Sequence, residues 1–382
     1  MKREFLLFAS STVICLLLTG IVIKSFFPQL VSTNTDLQLV QIDKKVPAYF
    51  EHIFRLSDYN AQKFILQDPI TRVRAAPLFD IGPNASMGPN DLLGFRNKSI
   101  PNKADVVFIG DSQTYGNNAS INENWPAHFL KNSVAHSSGY SMSVGGWAAL
   151  QYFYMSKFTV VFNPKTVIIA FYSGNDSLES FGLAYASAYW QDFRIDPNLT
   201  SDAMPKVNFP PKEEEIWGVR FDEGDPIAFT PTLRLSSNAN TPAAMTGWKI
   251  MMNTMQVLDD SLKGLGSSLK TDFFVTVIPT KELTYSERIK RDFGQKQLID
   301  PIYQTLVERE QANIELFQQS MQSLTVIKFI DVVEPLKNAA LLSLDLYPRN
   351  PDGHPLPEGY QVIGRSLARE VYSLKNLEAE TK

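Results

Sequence analysis

Four short runs in this chain are apolar and rich in β-branched residues, with no polar alternation: residues 105–109 (DVVFI), 166–172 (TVIIAFY), 272–278 (DFFVTVI) and 325–330 (TVIKFI). An alternating strand has one wet face, whereas a strand that does not alternate needs cover on both faces. That is the condition of a parallel sheet sandwiched between helices. Stretches with helical spacing separate the runs, at about 122–132, 147–162, 243–266 and 295–320, and a last one extends from 358 to about 374. This order predicts an α/β domain of three layers, α/β/α, with a central parallel sheet over residues 101–376.

The other constraint lies at the N-terminus. Residues 5–23 (FLLFASSTVICLLLTGIVI) carry no charge and follow Lys2 and Arg3. As a helix they would span roughly 28 Å, close to the hydrocarbon core of a bilayer. The run is longer than the apolar part of a cleavable signal and is followed by Lys24-Ser25-Phe26-Phe27-Pro28, with no small-x-small step. Cys15 lies inside it after the bulky Ile14, which argues against cleavage there. The expectation is an uncleaved N-terminal transmembrane helix in the inner membrane. Residues 1–4 would form a cytoplasmic tip and the rest of the chain would be periplasmic or otherwise extracytoplasmic.

Composition excludes several classes. Hydrophobic content of 44% and charged content of 20% are those of a globular chain. A net charge of −4 without any basic tract gives nucleic acid no footprint. With one cysteine there is neither a disulfide framework nor a thiolate metal site, and no metal or cofactor is expected. The four histidines, His52, His128, His136 and His354, bound any imidazole chemistry.

Residues 24–100 read as a juxtamembrane lead-in that packs on the main domain and is not catalytic. It shows helical spacing over 48–67 and then breaks at Pro69, Pro77, Gly82-Pro83-Asn84 and Gly88-Pro89-Asn90. Residues 191–242 interrupt the strand–helix order with a Pro-, Asp- and Asn-rich insertion that includes Glu213-Glu214-Glu215 and a strand-like run at 227–235. The insertion reads equally as a lid or substrate-facing wall and as a surface loop.

The chemistry concentrates where strands end. The first run leads into Gly110-Asp111-Ser112, which puts a hydroxyl at the carboxyl edge of the sheet, where ligands bind in open α/β folds. By itself, Gly-Asp-Ser is also an ordinary turn with a helix cap. Three further elements share the edge: Ser143-Val144-Gly145-Gly146-Trp147 after a second strand, Ser173-Gly174-Asn175-Asp176 after 166–172, and Asp352-Gly353-His354-Pro355 before the last helix.

These four blocks, GDSQT, GGW, GNDS and DGHP, resemble those of the SGNH (GDSL-type) hydrolases and occur in that family's order. Its members carry Ser, Gly, Asn and an Asp-with-His pair in the four blocks. The resemblance covers roughly 104–375 and implies the SGNH, flavodoxin-like form of the three-layer fold. Two departures stand out. Ser173 occupies a position the family usually gives to Gly. The family often places Asp three residues before His, and here that position is Pro351. The G-x-S-x-G elbow of α/β-hydrolases is absent around Ser112.

Chemistry and resemblance together assign roles. Ester cleavage needs a nucleophile, a base and donors for the oxyanion. Ser112 is expected as nucleophile, His354 as base and Asp352 as the acid that orients it, with Asp345 in reserve. The oxyanion donors would be the backbone N–H groups of Ser112 and Gly146 and the amide of Asn175, Gly145 being the one-residue alternative to Gly146. His52, His128 and His136 read as solvated or satisfied histidines. Trp125 and Trp147 read as packing residues at helix openings, Phe171 and Tyr172 as sheet core, and Lys281 and Glu282 as a salt-bridged rim.

The expected activity is a serine carboxylesterase, an acetylesterase acting on an acylated extracytoplasmic carbohydrate. An O-acyltransferase with the same site would need a multi-spanning membrane partner to supply the acyl donor. A silent subunit of polysaccharide assembly would have no chemical need for Ser112, Gly146, Asn175 and His354 together.

Overall fold

The structure, a computed structural model, describes residues 64–82, 86–206, 215–221, 226–293, 301–343 and 345–380. The membrane anchor expected at 5–23 and the cytoplasmic tip lie outside these residues. Among the described residues no helix is long and apolar enough to cross a membrane.

The lead-in forms a hairpin of β1 (Ile65–Asp68) and β2 (Arg72–Ala75). The main domain then runs β3 (Val106–Gly110), α1 (Ser112–Tyr115), α2 (Trp125–Asn132), β4 (Gly139–Ser143), α3 (Ala149–Ser156), β5 (Thr166–Tyr172) and α4 (Asp176–Ala186). The insertion supplies a second hairpin, β6 (Trp217–Val219) with β7 (Ile227–Phe229), and α5 (Pro231–Asn238). After it come α6 (Pro242–Lys263), β8 (Asp272–Ile278), α7 (Lys281–Thr284), α8 (Ser286–Phe293), α9 (Pro301–Gln322), β9 (Ile327–Phe329), α10 (Val333–Leu342) and α11 (Pro357–Glu380).

Five strands form one sheet in the order β4-β3-β5-β8-β9, every pair parallel. The uninterrupted apolar runs divide by pleat. Val107, Ile109, Val167, Ile169, Phe171, Val275 and Val277 pack under α3, α4, α6 and α9. Val106, Phe108, Ile168, Ala170 and Phe274 face α2, α10 and α11 through Trp125, Phe129, Leu336, Ile363 and Leu367. Each large side chain so covered contributes about 1.5–3 kcal/mol of hydrophobic stabilisation, and the cover is needed on both faces because both are apolar. Trp125 and Trp147 are fully buried packing residues.

Three local expectations differ from what forms. The described end of the 48–67 run, Ile65–Asp68, is a strand paired with Arg72–Ala75, not helix. The run at 227–235 stops being a strand at Phe229, because Pro231 cannot donate to a ladder and is well placed in the first turn of α5. The last strand shortens to Ile327–Phe329.

The lead-in is stitched to the domain. Trp147 Nε1 donates to Val73 O at 2.7 Å, Trp190 Nε1 to Ile70 O at 2.8 Å and Gln151 Nε2 to Thr71 O at 3.1 Å. The position that matters most for function is β3. Its successor β4 pairs on one side, and the chain then crosses to β5 on the other. The strand order therefore reverses at β3, and such a switch point opens a crevice beyond the carboxyl end of the strand.

Candidate active site

Beyond β3 the chain turns through Asp111 into α1. Asp111 Oδ1 accepts the Gln113 N–H at 2.9 Å, capping the helix and fixing Ser112 as its first residue. A first-turn N–H has no acceptor within its own helix. Burial pushes the Asp111 carboxyl up to about 6, partly offset by the Gln113 N–H. Its neighbour Asp176 is driven well above the carboxylate range, by burial first and by Asp111 second. Asp176 Oδ2 accepts from Tyr152 O–H at 2.9 Å and from Tyr172 N–H at 3.0 Å, which ties it to the end of β5.

Arg96, from the lead-in and only 1% exposed, closes the other end of this turn. Its guanidinium donates to Tyr115 O at 2.9 Å, Gly116 O at 2.6 Å and Ala119 O at 2.8 Å, and its Nε donates to Gly88 O at 2.7 Å. A short helix leaves its last carbonyls without partners, and Arg96 satisfies them. Nothing in its sequence context marks it.

The histidine arrives on the loop between α10 and α11. His354 Nε2 lies 2.8 Å from Ser112 Oγ, and His354 Nδ1 lies 2.6 Å from Asp352 Oδ1. Asp352 Oδ1 also accepts the His354 backbone N–H at 3.0 Å, so the carboxylate folds back across Gly353. Burial raises Asp352, but the bonds from His354 and Asn118 outweigh it and hold the carboxyl well below the usual range. With that carboxylate ionised, Nδ1 is the donor and Nε2 is free to accept from the serine hydroxyl. Ser112 Oγ has a second, longer partner in Asp111 Oδ2 at 3.3 Å. Asp345, the reserve acid, is exposed, and no hydrogen bond or ion pair joins it to His354.

Two residues that the sequence reading placed elsewhere, or not at all, hold this loop. Asn118 Nδ2 donates to Asp352 Oδ2 at 2.9 Å and to His354 O at 3.1 Å. It does so from a left-handed backbone (φ 69°), which Asn tolerates better than most residues. Lys281 is 1% exposed and donates to Pro348 O at 2.5 Å and Asn350 O at 2.8 Å. Burial pulls its ammonium down to about 8. Glu282 is equally buried and accepts the Thr230 N–H at 2.8 Å. The expected salt-bridged rim is therefore absent among the described residues. Strand β8 ends beneath the histidine loop, and Lys281 just beyond it turns inward to satisfy two of that loop's carbonyls.

The remaining candidates differ in placement. Asn175 precedes α4 without capping it, lines the cavity at Ser112, and has a buried Oδ1 with no partner. Gly146 takes a left-handed conformation (φ 80°) that a side chain would strain. A Cβ on Gly145 would lie 3.6 Å from Ser112 Cβ, so this turn sits against Ser112, though neither glycine lines the cavity itself. Ser173, where the family usually has Gly, is turned away. Its Oγ donates to Glu310 Oε1 at 2.5 Å, and the same carboxyl accepts from Thr280 N–H at 2.7 Å and Thr280 O–H at 2.6 Å, joining the ends of β5 and β8. Burial pushes Glu310 up to about 7.

His136 bridges Ser133 Oγ and Thr166 Oγ1, each at 2.8 Å. His128 is buried, and burial lowers its pKa. His52 lies outside the described residues. Among the described residues no group of three His, Cys, Asp or Glu side chains is placed to hold a metal ion.

Ser112, Asn175, Asp352 and His354 line a cavity of about 590 Å³. The lead-in contributes Ser86 and Met87 to its wall, and the insertion contributes Leu233 and Arg234. Tyr172, expected as sheet core, is buried and also reaches this cavity. A hydroxyl bonded to a carboxylate-oriented imidazole, in a cavity large enough for a small ligand, is equipped for acyl transfer.

No protein-family model and no curated protein matches the chain. Among solved structures, it is similar to a protein from Desulfitobacterium hafniense assigned to the G-D-S-L family of lipolytic proteins, with 13% identity over 70% of this chain and 99% of that one and a TM-score of 0.36. It is likewise similar to an acetyl xylan esterase from Geobacillus stearothermophilus, with 13% identity over 71% of this chain and 96% of that one and a TM-score of 0.36. At such low TM-scores the likeness adds nothing to what the geometry itself carries.

Proposed function

We propose that this protein is a serine esterase that hydrolyses O-acyl esters, acetyl esters foremost, on an extracytoplasmic glycan, and that its N-terminal segment anchors it in the inner membrane. The observation that carries the chemistry is the chain of contacts from Ser112 Oγ to His354 Nε2 (2.8 Å) and from His354 Nδ1 to Asp352 Oδ1 (2.6 Å) at the sheet's switch point. The glycan and the location rest on the charge-free run at 5–23 and on the family resemblance of the four blocks.

In this reading Ser112 Oγ attacks the acyl carbon while His354 Nε2 takes its proton. Asp352 stays ionised and stabilises the imidazolium that forms. Negative charge then develops on the former carbonyl oxygen. In this reading Ser112 N–H, Gly146 N–H and the Asn175 amide are assigned as donors to that oxygen, and one such donor is typically worth roughly 10²–10³ in rate. His354 returns the proton to the departing sugar hydroxyl, leaving an acyl-serine. A water, deprotonated by the same imidazole, then releases the carboxylic acid and restores Ser112.

The test uses the full chain in mild detergent with p-nitrophenyl acetate and with an O-acetylated oligosaccharide, scoring free acetate. The wild type should release acetate, and Ser112→Ala should cost at least about 10³-fold in kcat. Turnover unchanged by that substitution would sink the assignment, and acetate appearing on added sugar acceptors would make the protein a transferase.

A further inference from the structure

The esterase chemistry leaves two polar groups in the cavity without work. Arg234, on α5 of the insertion, lines the cavity with Ser112 and His354. Its Nε is buried and has no hydrogen-bond partner, and its guanidinium makes no ion pair among the described residues. It lies over the Tyr172 ring, 5.7 Å from the centroid. Tyr172 is 3% exposed, lines the same cavity, and its hydroxyl is buried without a partner. The two converge beside the histidine loop. A Cβ on Gly353 would collide with Arg234 Nη2 and would stand 3.1 Å from the Tyr172 oxygen. The residue between Asp352 and His354 thus has no side chain because Arg234 and Tyr172 occupy that space.

A buried donor left unpaired costs about 1–3 kcal/mol, so two of them at the mouth of a reaction site point to a ligand that completes them. A guanidinium N–H with a phenol O–H beside it is a donor pair suited to an anionic oxygen group, a carboxylate above all. Glu282 and Asp352 lie close enough to act on Arg234 and oppose added negative charge, which weighs against a dianionic phosphate more than against a single carboxylate.

We propose that Arg234, with the Tyr172 hydroxyl, binds a carboxylate on the substrate, and that the scissile ester therefore sits on an acidic, uronate-type sugar. Arg234 is a specificity-determining residue, and the insertion that carries it is a substrate wall. This rests on the esterase reading of Ser112 and deepens it.

The experiment compares the full chain on two chemically O-acetylated substrates, oligogalacturonate (anionic) and xylo-oligosaccharide (neutral). Wild type should favour the anionic ester in kcat/KM by about 10- to 100-fold, the range expected for a charged hydrogen bond. Arg234→Met should erase that preference chiefly through KM, and Arg234→Lys should retain part of it. Unacetylated oligogalacturonate should inhibit wild-type hydrolysis of p-nitrophenyl acetate competitively where the neutral oligosaccharide does not, a measurement that needs no variant. Equal kcat/KM on the two esters in the wild type, or a preference that survives Arg234→Met, overturns the inference. Loss of the esterase reading looks different: hydrolysis of p-nitrophenyl acetate would then persist in Ser112→Ala.

Discussion

The two halves of the site are built by opposite means. Ser112 sits in regular structure, at the end of a central strand and the start of a capped helix, with its turn fixed by the adjacent Asp111. His354 and Asp352 sit on an irregular loop whose geometry is imposed from far off, by Asn118 through one carboxylate oxygen and by Lys281 through two carbonyls. The serine half is local and stiff, and the histidine half is a loop held by distant donors. A nucleophile can be set by a strand and a cap, whereas a base that must reach it from the other end of the chain needs tertiary clamps.

The comparison can be broken most sharply at Asp352. Asp352→Asn should lower kcat by about 10²–10⁴-fold, because an amide stabilises the imidazolium poorly and permits the wrong tautomer. Asp345→Asn, at an exposed position, should stay near wild type. A larger loss at Asp345, read from steady-state rates on p-nitrophenyl acetate, would overturn the orienting role given to Asp352.

The next contrast is between two of the buried cations, Lys281 and Arg96. Lys281→Met should cost about 10- to 100-fold in kcat/KM with a modest fall in melting temperature, since it frees a loop. Arg96→Met should act mainly on stability, by about 3 kcal/mol or more, because several buried carbonyls lose their donor together. Matched losses of activity and melting temperature in the two variants would show that the halves are not built differently.

The smallest expected effect concerns the joint between β5 and β8. Burial raises Glu310 from 4.5 to about 7, so the folded state holds a proton that the unfolded chain gives up. Its stabilising contribution is complete below pH 4.5 and is lost as pH rises to about 7, a change on the order of 3 kcal/mol. Glu310→Gln keeps an acceptor for Ser173 and Thr280 without the titration, so its melting temperature should vary less than the wild type's between pH 5 and 8. Parallel curves would remove Glu310 as the cause.

Much of this was legible in the chain. The runs at 166–172 and 272–278 are strands to the residue, because a segment that must be covered on both faces has no choice of side and leaves an unbroken apolar signature. Gly110-Asp111-Ser112 was legible because a cap and a strand end are local. Other features were not. Lys281 and Glu282 look like any charged pair at a strand end, and only the loop packed above them turns them inward. Asn118 and Arg96 act through side-chain bonds to groups mostly distant in sequence, which no spacing records. The 227–235 run is strand only to Phe229, because its apolar residues fit either state and Pro231 decides for a helix.

The sequence by itself determined the three-layer sheet, which follows from periodicity, and it singled out Ser112 through the order of the four blocks. The tertiary structure alone decided that Asp352 and not Asp345 meets His354. It also decided that Ser173 serves Glu310 and that the insertion sends Arg234 into the cavity. Each of these depends on which donor reaches a given oxygen across a fold, and that distance is set by packing.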